Sequence, residues 1–177
     1  METDLINLSP DIKMTSADSG VSATEPDWSR ETVSTWWEPS RQLIQSIRQY
    51  QYWQSKNSYV GQLISKWIVV KYRFWSVVTG ADIPLNCCID GGIVLRHPNG
   101  IVVHPDACIG PNCMLFQQVT IVGGVRIGGH VDIGAGAKII RPVNIGDHAR
   151  IGANSVVLED VPPGATVAGV PARIIKK

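Results

Sequence analysis

The stretch Ile127-Gly128-Gly129-His130-Val131-Asp132-Ile133-Gly134-Ala135-Gly136-Ala137-Lys138-Ile139 decides the fold. An aliphatic residue returns every sixth position, and glycine follows it at 128 and 134. Traced outward, the same phase holds Val103, Ile109, Leu115, Ile121, Ile145, Ile151 and Val157, with further glycines at 110, 146 and 152. If aliphatics fill roughly a quarter of positions, ten in-phase matches arise by chance about once in a million. A period of six serves neither a helix of 3.6 residues per turn nor a simple two-faced strand. It suits a coil of three short strands per turn, in which each aliphatic points inward and stacks on the one a turn away. Three hexapeptides make a turn of about 18 residues. Residues 103–157 then supply about three turns and residues 82–102 one more. Ala137, Ala149 and Ala153 fill intermediate positions.

Upstream the texture differs. Residues 1–27 are rich in Ser, Thr, Asp and Pro without an apolar period, which predicts a disordered tail. Residues 28–80 read as an α-helical region. Leu43, Ile44, Ile47 and Tyr50 follow Ser40, an expected N-cap, at helical spacing. Leu63, Ile64, Trp67, Ile68, Phe74, Trp75 and Val78 form one broad face of a second helix, which Gly80 ends. All six tryptophans lie in this zone, as core or subunit contacts. The helices are expected to cap the first turn of the coil and hide its unpaired edges. The fold class is therefore mainly β, a parallel β-helix over residues 81–177 with a short α-helical region before it.

Composition narrows the function. With 44% hydrophobic and 18% charged residues the chain is globular, and its net charge of +1 asks for neither nucleic acid nor an anionic membrane as partner. No apolar run approaches the roughly 20 residues of a membrane span, and no signal peptide opens the chain, so no membrane insertion and a cytoplasmic location are expected. The spacing of Cys87, Cys88, Cys108 and Cys113 fits neither a paired zinc site nor a small disulfide scaffold, and reads as reduced thiols, most of them buried.

Further motifs carry a family resemblance. Asp82-Ile83-Pro84, Arg96-His97-Pro98-Asn99-Gly100-Ile101-Val102-Val103, Gln117-Gln118-Val119-Thr120 and Ala168-Gly169-Val170-Pro171-Ala172-Arg173 resemble the serine acetyltransferases, as do Ile133 to Lys138 and Ile151 to Asn154. The resemblance covers residues 80–175, just over half of the chain. It implies a left-handed coil, an exception to the usual handedness of parallel crossovers. It also implies an acetyl-CoA-dependent O-acetyltransferase working as a homotrimer, without a metal, on a small hydroxyl acceptor. His97 stands at the family's general base and Asp82, fifteen residues before it, at its carboxylate partner. A carboxylate that fixes the imidazole tautomer leaves the other ring nitrogen free to take a hydroxyl proton. For acetyl-CoA the resemblance points to Gly123, Gly124, Ala135, Arg150 and Ala153, with Arg150 where better-known members carry lysine.

The departures concern the acceptor. Arg96 replaces the aspartate that precedes the histidine in the family, and could hold an acceptor carboxylate. Val122-Gly123-Gly124 runs directly into Val125-Arg126, without the long glycine-rich loop and its Arg-His pair. The helical region is also shorter. A sugar or polysaccharide hydroxyl is therefore a second acceptor class, and a non-catalytic scaffold a third reading. A zinc hydratase of the same fold would need converging histidines, and His104, His130 and His148 do not have its spacing.

Overall fold

The computed structural model describes residues 20–56 and 58–176. Strands of two residues dominate: β1 (Cys88–Ile89), β2 (Val94–Leu95), β3 (Val102–Val103), β4 (Cys108–Ile109), β5 (Met114–Leu115), β6 (Thr120–Ile121), β7 (Arg126–Ile127), β8 (Asp132–Ile133), β9 (Lys138–Ile139), β10 (Asn144–Ile145), β11 (Arg150–Ile151) and β12 (Val156–Val157). They stack in parallel into three faces, β1-β4-β7-β10, β2-β5-β8-β11 and β3-β6-β9-β12. An antiparallel pair, β13 (Thr166–Gly169) and β14 (Ala172–Lys176), joins the second face and ends the coil. This is the parallel β-helix that the period of six predicts.

Each strand turns its second residue inward. All ten in-phase aliphatics from Val103 to Val157 are buried, none more than 5% exposed. A second inward column lies two residues earlier in each hexapeptide: Ile101, Ala107, Cys113, Val119, Val125, Val131, Ala137, Val143, Ala149 and Ser155. Ala137 and Ala149 are thus core residues, whereas Ala153 is exposed at a corner. The corners need left-handed backbone. One column of positive φ runs Gly92, Asn112, His130, His148, Gly164, and another Gly100, Gln118, Gly136, Asn154. Glycine, asparagine and histidine adopt this region more readily than most residues.

The helices α1 (Pro39–Ser55) and α2 (Tyr59–Thr79) cover the open first turn. Leu43, Ile44, Ile47, Tyr72 and Trp75 join the same core as Ile83 and Ile89. Polar side chains serve the carbonyls of that first turn. Gln51 donates to Leu85 and Cys87, Arg48 to Ile89 and Asp90, and the Tyr72 hydroxyl to Ile83. Buried backbone acceptors need such partners.

Three expectations change. Ser40 is not the cap of α1: Glu38 holds that position and Pro39 opens the helix, where a missing N–H costs nothing. The broad apolar face of α2 is two faces, with Ile68 and Trp75 buried and Leu63, Trp67, Phe74 and Val78 exposed. Of the expected tail over 1–27, residues 1–19 lie outside the described residues, and residues 20–27 lie along the coil. Asn112, 1% exposed, accepts from Asp27 N–H at 2.8 Å and donates to the Ser22 and Glu25 carbonyls at 2.8 Å each. The glycines make room for this strap. A Cβ on Gly129 would lie 1.8 Å from the Ala23 carbonyl oxygen, and one on Gly91 would meet Trp28 and Pro26. A segment without an apolar period still docks when its backbone finds a buried amide.

Candidate active site

One irregularity of the coil positions the site. Val102 pairs with Thr120, 18 residues on, but with Asp82 twenty residues before it. The extra two residues fall between Leu95 and Val102, so Arg96 to Gly100 bulge from the corner as a loop. Arg96 N–H donates to Leu115, Gly100 N–H to Gly80, and Asn99 accepts from Gln118 N–H, at 2.8 to 2.9 Å. The loop is thus held by the turn above and the end of α2 below. His97 sits in it with φ of 51°, exposed. A non-glycine residue at positive φ is worth a functional reading when its surroundings fix it.

Asp82 lies on the third face directly beneath Val102, its own backbone paired to Ile101 and Val103. The coil therefore brings Asp82 and the His97 loop to adjoining turns at one corner. Among the described residues no hydrogen bond or ion pair joins the carboxylate to the imidazole. Asp82 instead faces a cleft of about 460 Å³ with Tyr72 and Arg73. Burial first, and then the charge of Asp82, raise the Tyr72 hydroxyl pKa and push the Cys87 thiol up to about 12.

His97 opens onto a larger cleft of about 910 Å³ over the second face. Arg96 lines it beside Arg30 and Glu31 of the short 3-10 helix Trp28–Glu31, which follows the strap, and Glu38 and Arg41 at the start of α1. Glu31 pairs with Arg48 at 2.9 Å and Glu38 with Arg41 at 3.0 Å, whereas Arg96 has no ion-pair partner among the described residues. The sequence does not reveal this wall, because its residues lie 56 to 67 positions before His97 in a stretch without a motif.

The residues expected to hold acetyl-CoA divide among two corners and the second face. Ala135 and Ala153 stack above the His97 loop, where the N–H groups of Gln117, Ala135 and Ala153 have no backbone acceptor among the described residues. N–H groups without a backbone acceptor are available to acceptors on a bound ligand. Gly123 and Gly124 occupy the far corner of the third face, against His104 and Pro142. Arg150 lies exposed on the second face, 3.9 Å from Asp132. Between the two corners Lys138, which ends the Ile133 to Lys138 motif without an assigned role, donates to the Gln118 carbonyl and the Thr120 hydroxyl. His130 and His148 meet edge to face with Nδ1 atoms 2.9 Å apart, His130 buried, while His104 belongs to the corner of Gly123. No group of three metal-ligating side chains able to hold an ion occurs among the described residues.

The hexapeptide coil, the looped histidine and the aspartate beneath it can be set against known proteins. The chain is 46% identical over 110 residues to the serine acetyltransferase of Escherichia coli, a match covering 58% of this chain and 40% of that one. This part of the chain is similar to serine acetyltransferases. A soybean serine acetyltransferase solved with serine superposes with a TM-score of 0.65 at 33% identity, covering 78% of this chain and 58% of that one. A serine acetyltransferase solved with CoA gives 0.65 at 36% identity, with the same coverage of both chains. The chain spans about half the length, 40% to 48%, of the curated serine acetyltransferases it matches. No family model matches it.

Proposed function

We propose that this protein transfers the acetyl group of acetyl-CoA to the hydroxyl of serine or a close serine analogue. The carrying observation is the two-residue bulge that fixes His97 at positive φ beside Asp82 and above an open cleft. Similarity to serine acetyltransferases, one solved with CoA and one with serine, supports both substrates. It also favours serine over a sugar.

In this reading the Asp82 side chain turns toward the imidazole in the loaded enzyme and fixes its tautomer. His97 takes the proton of the acceptor hydroxyl as its oxygen attacks the thioester carbon. The tetrahedral intermediate then collapses, breaking the carbon–sulfur bond. His97 returns the proton to the departing CoA thiolate, so no external acid is consumed. Arg96 holds the acceptor carboxylate, the task left open by the missing Arg-His loop. Ala135 and Ala153 present N–H groups to the pantetheine arm, and Arg150 and the Gly123-Gly124 turn meet the rest of the coenzyme. We assign a homotrimer, in which a neighbouring coil completes the groove, and a cytoplasmic location where acetyl-CoA is available.

Steady-state kinetics of Arg96→Ala separate the roles. Loss of a carboxylate contact raises the KM for serine at least about tenfold while the KM for acetyl-CoA holds. An unchanged serine KM removes Arg96 from the acceptor site. Light scattering of the full chain tests the trimer, and a monomeric mass rejects it.

A further inference from the structure

α2 has a second apolar face that none of the described residues covers. Val60, Leu63, Trp67, Val70, Phe74 and Val77 recur at alternating three- and four-residue spacing, and each is more than half exposed. They lie opposite the buried face of Ser65, Ile68, Tyr72 and Trp75. Trp36 and Trp37, also exposed, extend the patch through a ring chain to Trp75 and Phe74 with centroids 5.0 to 5.7 Å apart.

Charge identifies the occupant. The chain's net charge is only +1, yet from Pro39 to Thr79 it carries Arg41, Arg48, Lys56, Lys66, Lys71 and Arg73 and no carboxylate at all. Arg41 and Arg48 are paired with Glu38 and Glu31. Lys66 and Arg73 are exposed along one border of the stripe, Arg73 at the rim of the Asp82 cleft, and half-buried Lys71, which donates to Gln45, lies along the other. Two copies of this face brought together would set these cations side by side with no anion in either helix. An anionic lipid surface satisfies both features, taking the apolar stripe and its tryptophans at the acyl boundary and the cations among the headgroups.

We propose that α2 seats this protein in the plane of an anionic bilayer surface. The helix does not cross it, since no helix among the described residues is long and apolar enough to span a membrane. The seat has a defined relation to the site. Gly80 ends α2, and its carbonyl accepts from Gly100 in the loop of His97, so that loop adjoins the C-terminal end of the lipid-facing stripe. The proposal does not depend on the acetyl-transfer reading, and its test needs no turnover.

The full chain is sedimented with phosphatidylcholine vesicles containing about one-third phosphatidylglycerol, and with pure phosphatidylcholine vesicles. Salt-sensitive binding to the anionic vesicles alone is expected. Lys66→Gln with Arg73→Gln weakens it about thirtyfold, at about one power of five per cation. Trp67→Ser with Phe74→Ser weakens it at least about tenfold, because insertion of the stripe is lost. These side chains are exposed, and circular dichroism confirms that each variant keeps its fold. Absence of binding at low salt overturns the proposal. So does binding that survives Trp67→Ser with Phe74→Ser, which is surface charge alone. A fall in assembly size in that double variant, without vesicle binding in the parent, gives the face to a second copy and also overturns it.

Discussion

Replacing Asn112 by alanine tests how the N-terminal strap is held. The Asn112 side chain makes three hydrogen bonds to the strap backbone, at Asp27, Ser22 and Glu25, each 2.8 Å long. At a net contribution of about 1 kcal/mol each they total about 3 kcal/mol. Alanine at φ of 61° adds about 1 kcal/mol of left-handed strain. The expected loss is about 4 kcal/mol by guanidinium unfolding, and Asn112→Gly, which tolerates that φ, isolates the share of about 3 kcal/mol due to hydrogen bonds. Hydrogen exchange gives the location: the amides of Asp27 and Arg30, bonded to Asn112 and to Asp27, lose protection while the coil amides keep theirs. Arg30 and Glu31 line the His97 cleft, so acceptor KM rises as well. A loss below about 1 kcal/mol with Asp27 still protected would show that Asn112 does not hold the strap.

Further outcomes follow from other contacts. Gly129→Ala, whose new methyl would meet the Ala23 carbonyl at 1.8 Å, gives the exchange signature of a released strap with the coil intact; an unchanged Asp27 amide contradicts this. A thiol reagent at mildly alkaline pH labels exposed Cys88 slowly, since a hydrogen bond with Cys108 and then burial push its pKa up to about 11. Cys87 and Cys113, held at about 12 by burial, react only on unfolding. The Ser34 hydroxyl, and then Arg41, lower the Glu38 carboxyl to about 2. Its contribution to the start of α1 is therefore complete above the ordinary carboxylate pKa and fades as pH falls toward about 2. A carbon-detected titration of Glu38 with an ordinary carboxylate midpoint excludes this.

Much of the fold was legible because one physical rule repeats. An inward aliphatic every sixth residue leaves a periodic trace, and every in-phase position from Val103 to Val157 is buried. The second inward column was harder to read, because Ala107, Cys113 and Ser155 interrupt its hydrophobicity. The strap was not legible: its binding rests on backbone groups and on Asn112, whose identity also satisfies a corner of positive φ. In α2 helical spacing located the apolar residues but could not separate Trp75 from Phe74, next to it in sequence and on the opposite side of the burial boundary. The site was half legible. The His97 motif marks a loop, and the structure shows why, as two residues beyond the regular turn. The cleft wall from Arg30 to Arg41 depends on how the helices fold back over the coil, which no local pattern encodes.

Acetyl transfer at His97 is the activity proposed for this chain. Its most direct test is CoA release from acetyl-CoA by the purified full chain with L-serine, beside His97→Ala and with monosaccharides as control acceptors. Serine-dependent release that falls at least about a hundredfold in the variant is expected. Release that is equal in the two proteins, or absent with serine and present with a sugar, contradicts it.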